Sequence, residues 1–270
     1  MLGKLLKYDI KSTFAYFGII HGVLLVFCIF GRFFITERFD FVNAAPAEVS
    51  TLLLFGGLFF LLFLITPFAT YLILAIRFYR NLFTDEGYLT LTIPATRTQL
   101  LWSKLIFAAL TSILDTLLVA LGLLILTYTP NTVAAYLPYA SDFAIEMGMS
   151  LSQFLQMLFA IAIISSIFNG VSLYFCITVG QLLPHHPIIG AILTYFASSL
   201  LIEIITFGFL FAFEIFPSTY LSEATNTASI TYTSHYYQTF YTLTGILTLV
   251  VSAVEYVATH YILTHKLNLN

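Results

Sequence analysis

The sequence predicts an all-α polytopic membrane protein with six transmembrane helices, and three observations carry that expectation. Apolar residues make up 60% of the chain and charged residues only 9%, against about 45–50% and about 25% in soluble globular chains. Six apolar runs of near-span length lie between polar or charged segments, and a crossing needs ~20 predominantly apolar residues to traverse ~30 Å of hydrocarbon. If all six cross, eight of the ten Lys and Arg residues fall on one side, the asymmetry that membrane insertion imposes.

The first run, Phe14 to Phe34, follows a basic start in which Leu2, Leu5, Leu6 and Ile10 recur at helical spacing while Lys4, Lys7 and Lys11 mark the other side. That pattern predicts an amphipathic interface helix over residues 1–12. The second run is Leu52 to Ile76 and the third Leu105 to Tyr128. Upstream of the third, Thr96-Arg97-Thr98-Gln99 matches a capping box and starts its helix near Arg97. The fourth, Phe154 to Leu183, belongs to a run from Leu151 to Leu183 that is too long for one untilted span, so it tilts, protrudes or bends near Asn169-Gly170. Ile188 to Phe216 and Phe240 to Leu263 complete the set. With no internal repeat, Pro-rich linker or soluble segment, residues 1–270 are expected to form one transmembrane domain.

Lys4, Lys7, Lys11, Arg77, Arg80, Arg97, Lys104 and Lys266 share a side, and only Arg32 and Arg38 lie opposite. Both termini are therefore expected in the cytoplasm. A cleavable signal peptide is not expected, because Arg32, Glu37 and Arg38 separate the first run from the small residues Ala45-Pro46-Ala47. Residues 217–239, rich in Ser, Thr and Tyr without a basic residue, are expected outside, either as a re-entrant segment or with Tyr236, Tyr237 and Tyr241 as an aromatic belt.

Residues 77–104 then form the longest cytoplasmic connection, "RFYRNLFTDEGYLTLTIPATRTQLLWSK". Thr84 is placed to cap a short helix whose first turn holds Asp85 and Glu86, where carboxylates meet the exposed amides and the macrodipole. Pro94 closes that element. An acidic helix carrying Phe83, Tyr88 and Leu89 is too small to fold alone and docks either at the lipid headgroups, as an interfacial loop whose aromatic residues rest there, or on a protein partner. Anionic lipid repels its carboxylates, whereas a protein with basic residues accepts them.

The amphipathic start, the six spans and this loop resemble the permease subunits of bacterial ATP-binding-cassette exporters of the type-2 class, common in Firmicutes. The resemblance covers the whole topology, and its specific part is confined to about Arg77 to Leu105. It implies a bacterial plasma-membrane protein whose loop is a coupling helix seated in a groove of a separate cytosolic ATPase, with Asp85, Glu86, Gly87 and Tyr88 at the centre of that contact and Phe83 and Leu89 beside it. It further implies that Leu2 to Lys11 is an interface helix. A second permease copy or paralogue would pair through the first and fifth spans, where the small residues Gly18, Gly22, Ala197 and Ser198 allow close packing. The link "QLLPHHP" is short for a second coupling element.

Nothing matches G-x-x-x-x-G-K-[ST], so ATP and Mg belong to a partner subunit and no cofactor is expected on this chain. Neither H-E-x-x-H nor G-x-S-x-G occurs, which argues against a zinc protease or a serine hydrolase. Adjacent His185 and His186 lack a third ligand, Cys28 and Cys176 stand alone in apolar runs, and no metal, disulfide or nucleic-acid partner is expected. Ionisable groups inside spans are costly, at least ~2.5–3.5 kcal/mol when charged at a helix centre. His21, Asp115, Glu203 and Glu255 are such groups. The three carboxyls are placed either to line a path for a cationic or amphiphilic substrate or to pack against hydroxyls of neighbouring helices. A permease moving lipid, peptide or drug-like substrates is the expected function. An ion-coupled carrier with inverted three-span repeats and an integral membrane enzyme are the alternatives.

Overall fold

The structure, a computed structural model, describes residues 2–41, 44–92, 94–183, 185–213 and 228–266, with backbone alone at residues 88–91, 146 and 228–238. In chain order its α-helices are α1 (Leu2–Gly31), α2 (Pro46–Phe83), α3 (Asp85–Thr92), α4 (Arg97–Thr127), α5 (Pro130–Tyr136), α6 (Ala140–Met147), α7 (Leu151–Gly180), α8 (Pro187–Ala212) and α9 (Ala228–His265), with no strand among the described residues. The six long ones are apolar enough to cross a membrane, which makes this an all-α polytopic membrane protein.

Local signals set the helix starts. Pro46 opens α2, where a missing amide hydrogen costs nothing, and the Glu48 carboxylate accepts from the Ala45 amide at 2.9 Å. At α4 the Gln99 amide donates to Thr96 Oγ1 at 3.2 Å and the Thr96 amide donates to Gln99 Oε1 at 3.4 Å, the expected reciprocal box. Ser150 and Gln153 repeat the device at α7, just after Gly148 turns the chain at φ 64°.

Several expected boundaries move. The basic start runs into the first span as one helix, since nothing between Lys11 and Phe14 breaks it. Residues from Arg77 to Phe83 complete α2 and those from Arg97 to Lys104 begin α4, so the 77–104 segment is mostly helical and its loop is shorter than expected. Polar residues end a hydrophobic run without ending a helix. Thr84 does not cap α3 with its side chain; its hydroxyl donates back to the Arg80 carbonyl at 2.7 Å, and its own carbonyl accepts from the Gly87 amide at 2.7 Å. α7 is continuous through Asn169-Gly170. Gly170 serves packing there, for a Cβ would stand 3.1 Å from Ala108 Cβ. Residues 217–227 of the expected outer loop lie outside the described residues, and from Ala228 the chain is already helical.

The chain divides into two compact units, Met1–Tyr139 with Ala162–Gly170, and Ala140–Ile161 with Val171–Asn270. In the first, α4 packs along α1 and α2. One apolar cluster joins Leu24, Cys28, Phe59 and Leu126, and Leu74, Phe78, Leu101 and Phe107 are buried as well, while Leu53, Phe60, Phe68 and many like them face outward. In lipid, apolar surface gains nothing by hiding, so interiors gather small and polar side chains instead. At the end of this unit remote from α3, Arg32 donates from Nε to Glu37 at 2.9 Å and from Nη1 to the Ile125 and Tyr128 carbonyls at 3.2 Å each, satisfying the last turn of α4. In the second unit, Gly180 lets α7 and α8 meet at their shared turn. A Cβ there would strike the Pro187 carbonyl and come within 2.7 Å of the Ala191 amide nitrogen.

Candidate functional site

α3 sits at the junction of α2 and α4, and short-range contacts fix it to α2. Glu86 Oε1 accepts from Arg80 Nη2 at 2.5 Å. Gly87 is buried so tightly that a Cβ would stand 2.8 Å from the Leu82 carbonyl oxygen. Phe83, expected on the short helix, is instead the last residue of α2, its ring edge-on to Phe78 of the same helix at 5.8 Å. Of the acidic pair Asp85 is exposed, whereas Glu86, partly exposed, is engaged by Arg80. The side chains of Tyr88 and Leu89 lie outside the described residues, though their backbone continues α3. The sequence therefore located the element; the structure gives Phe83 to the end of α2, seats Glu86 and Gly87 against that end and leaves Asp85 exposed.

Beside α3 lies a buried charge cluster that sequence reasoning missed. Lys104 Nζ donates to both oxygens of Asp9, at 2.8 and 2.7 Å, and Asn81 Nδ2 donates to Asp9 Oδ1 at 3.1 Å. Arg77 Nε completes the set at 3.4 Å. Asp9 is 2% exposed and Lys104 3%, so neither charge is shared with solvent. The signal was present in the sequence. Asp9 falls on the stripe of Leu2, Leu5 and Leu6, and Lys4, Lys7 and Lys11 are all exposed on the far side.

Deeper in the same unit, His21 and Asp115 form a pair. Nε2 and Oδ1 are 2.8 Å apart, Thr70 Oγ1 donates to the same Oδ1 at 2.7 Å, and Nδ1 donates to the Phe17 carbonyl at 2.9 Å. A carbonyl only accepts, so Nδ1 carries a hydrogen and one proton is shared across the Nε2–Oδ1 contact. In the second unit Glu255 accepts from Ser172 through Oε2 and from Ser198 at 2.9 Å through Oε1. Asp115 and Glu255 thus have partners in their own units, as packing contacts do. Glu203 differs: it is exposed on α8 and makes no contact of this kind with the described residues.

The residues expected at a dimer contact lie on open faces in part. Gly18 and Gly22 have nothing within 4 Å of an added Cβ, and Ala197 is exposed, whereas the Ser198 hydroxyl is held by Glu255. No group of three His, Cys, Asp or Glu side chains suited to a metal occurs among the described residues.

No protein-family model matches the sequence, and no curated protein or solved structure shows significant similarity to it.

Proposed function

We propose that this chain is the transmembrane permease subunit of a type-2 ABC exporter, moving a hydrophobic or amphiphilic substrate such as a lipid, peptide or drug-like molecule out of a bacterial cell. The observation that supports it is α3, a short acidic helix between the second and third spans, seated on the end of α2 and presenting Asp85 outward. The eight-to-two distribution of Lys and Arg supports a cytoplasmic position for both termini and α3, where a separate ATPase with bound ATP and Mg can engage it. The chain itself is not an enzyme on this reading, and it works with a second permease copy or paralogue in the plasma membrane. An ion-coupled carrier is the second reading, favoured by the buried His21–Asp115 pair within two of the candidate spans, since ionisable groups inside spans often serve proton or ion movement.

Asp85→Arg tests the proposal. An exposed side chain contributes less than about 0.5 kcal/mol to its own fold, so expression and melting temperature stay near normal. Losing one member of a desolvated interfacial charge pair costs ~2–5 kcal/mol of binding, so co-purification of a cytosolic ATPase from the native cell, and substrate-stimulated ATP hydrolysis, are lost. Full ATPase association by the variant removes the exporter reading, and transport driven by a proton gradient without any ATPase establishes the carrier.

A further inference from the structure

A buried ion pair is a poor device for stability, because desolvation consumes most of its Coulombic gain and well-packed apolar residues serve as well or better. Its best-attested use is to fix one register among several. The Asp9 cluster has that character. One carboxylate on α1 is gripped by a cation from α4 and by two donors, Arg77 and Asn81, from the last turns of α2. It sets both the rotation and the height of α1 against its neighbours.

The same turns of α2 hold α3. Arg80, between Arg77 and Asn81 in sequence, binds Glu86 and supplies the carbonyl that Thr84 Oγ1 bonds. Leu82, next to Asn81, is the backbone on which Gly87 rests. A short path of hydrogen bonds and backbone contact thus runs from α3 through the end of α2 to Asp9, and from there to α1 and α4. We propose that Asp9 is a positioning residue tying the place of α3 to that of the first span, so that displacement of α3 reaches α1 through this carboxylate. As a step in transport this rests on the exporter reading; as a mechanical link within the chain it does not.

The test separates the link from ordinary stability. Asp9→Leu combined with Lys104→Met removes the two fully buried charges together, and the Arg77 it leaves behind is partly exposed and can turn to water, so the full-length double variant melts within a few degrees of wild type. Spin labels on Lys11→Cys and Thr92→Cys, with Cys28 and Cys176 replaced by Ala, report the α1 to α3 distance in the purified chain without any ATPase. The expected result is a narrow distribution in the parent and a broad one in the double variant. In the assembled complex, transport per ATP hydrolysed falls about fivefold or more, the low end of usual coupling between sites, while ATPase association is kept. A double variant with a narrow distance and full coupling overturns the proposal. If the double variant fails to fold, Asn81→Ala, which weakens the grip without stranding a charge, is read by the same two measurements. A parent chain that recruits no ATPase defeats the exporter reading alone, and the distance measurement still decides the link.

Discussion

The two units treat buried carboxyls differently. In the first, each buried Asp faces a base from another helix: Lys104 for Asp9 and His21 for Asp115. In the second, Glu255 is met by two serine hydroxyls, and no cation contacts it among the described residues. The first unit has therefore committed its charges to particular neighbours, and a substitution there strands an ion. The second has bound its carboxyl with neutral groups that another amide or hydroxyl can imitate. What differs is the penalty for error, and with it how firmly the sequence is held at each place.

The largest effect expected from this contrast is at Lys104. Lys104→Met leaves Asp9 buried with only Asn81 and a half-buried Arg77, and should cost about 3 kcal/mol, the low end for breaking a buried pair, read as a drop in melting temperature in detergent. Next is Gly180→Ala in the second unit, where the new methyl group meets the backbone of Pro187 and Ala191. Overpacking of this kind costs about 1–3 kcal/mol, and chemical denaturation of the purified chain measures it. The smallest effect belongs to Glu255→Gln, whose amide can still bond Ser172 and Ser198. Polar contacts between membrane helices average about 0.6 kcal/mol, so melting should barely move. If Glu255→Gln instead proves as damaging as Lys104→Met, then Glu255 answers a cation supplied by something other than this chain, and the contrast between the units fails.

The spans were legible because each is a run of apolar residues long enough to cross, a property of composition alone. The α4 capping box was legible because its two partners are three residues apart. Partnerships were not legible. His21 and Asp115 were both marked as costly residues in spans, yet 94 positions separate them and no periodicity links them. Asp9 escaped because a segment with Lys4, Lys7 and Lys11 reads as a charged face, and an acid among bases looks like more of the same. Only the helical angle, which sets Asp9 on the leucine side, distinguishes it. Glu86 was read as free for a partner because an Arg six residues earlier lies across the break between α2 and α3, where helical spacing no longer predicts neighbours.

Arg32 shows how chain order bears on such bonds. Its two carbonyl acceptors come from residues 93 and 96 positions later, but Glu37 follows by only five. In the orientation proposed, Arg32 lies on the outer side and must traverse the bilayer before α4 has been synthesised. Glu37 travels with it. A counterion five residues away is in reach of the Arg from the start of insertion, whereas its helix-capping acceptors exist only once the third span arrives.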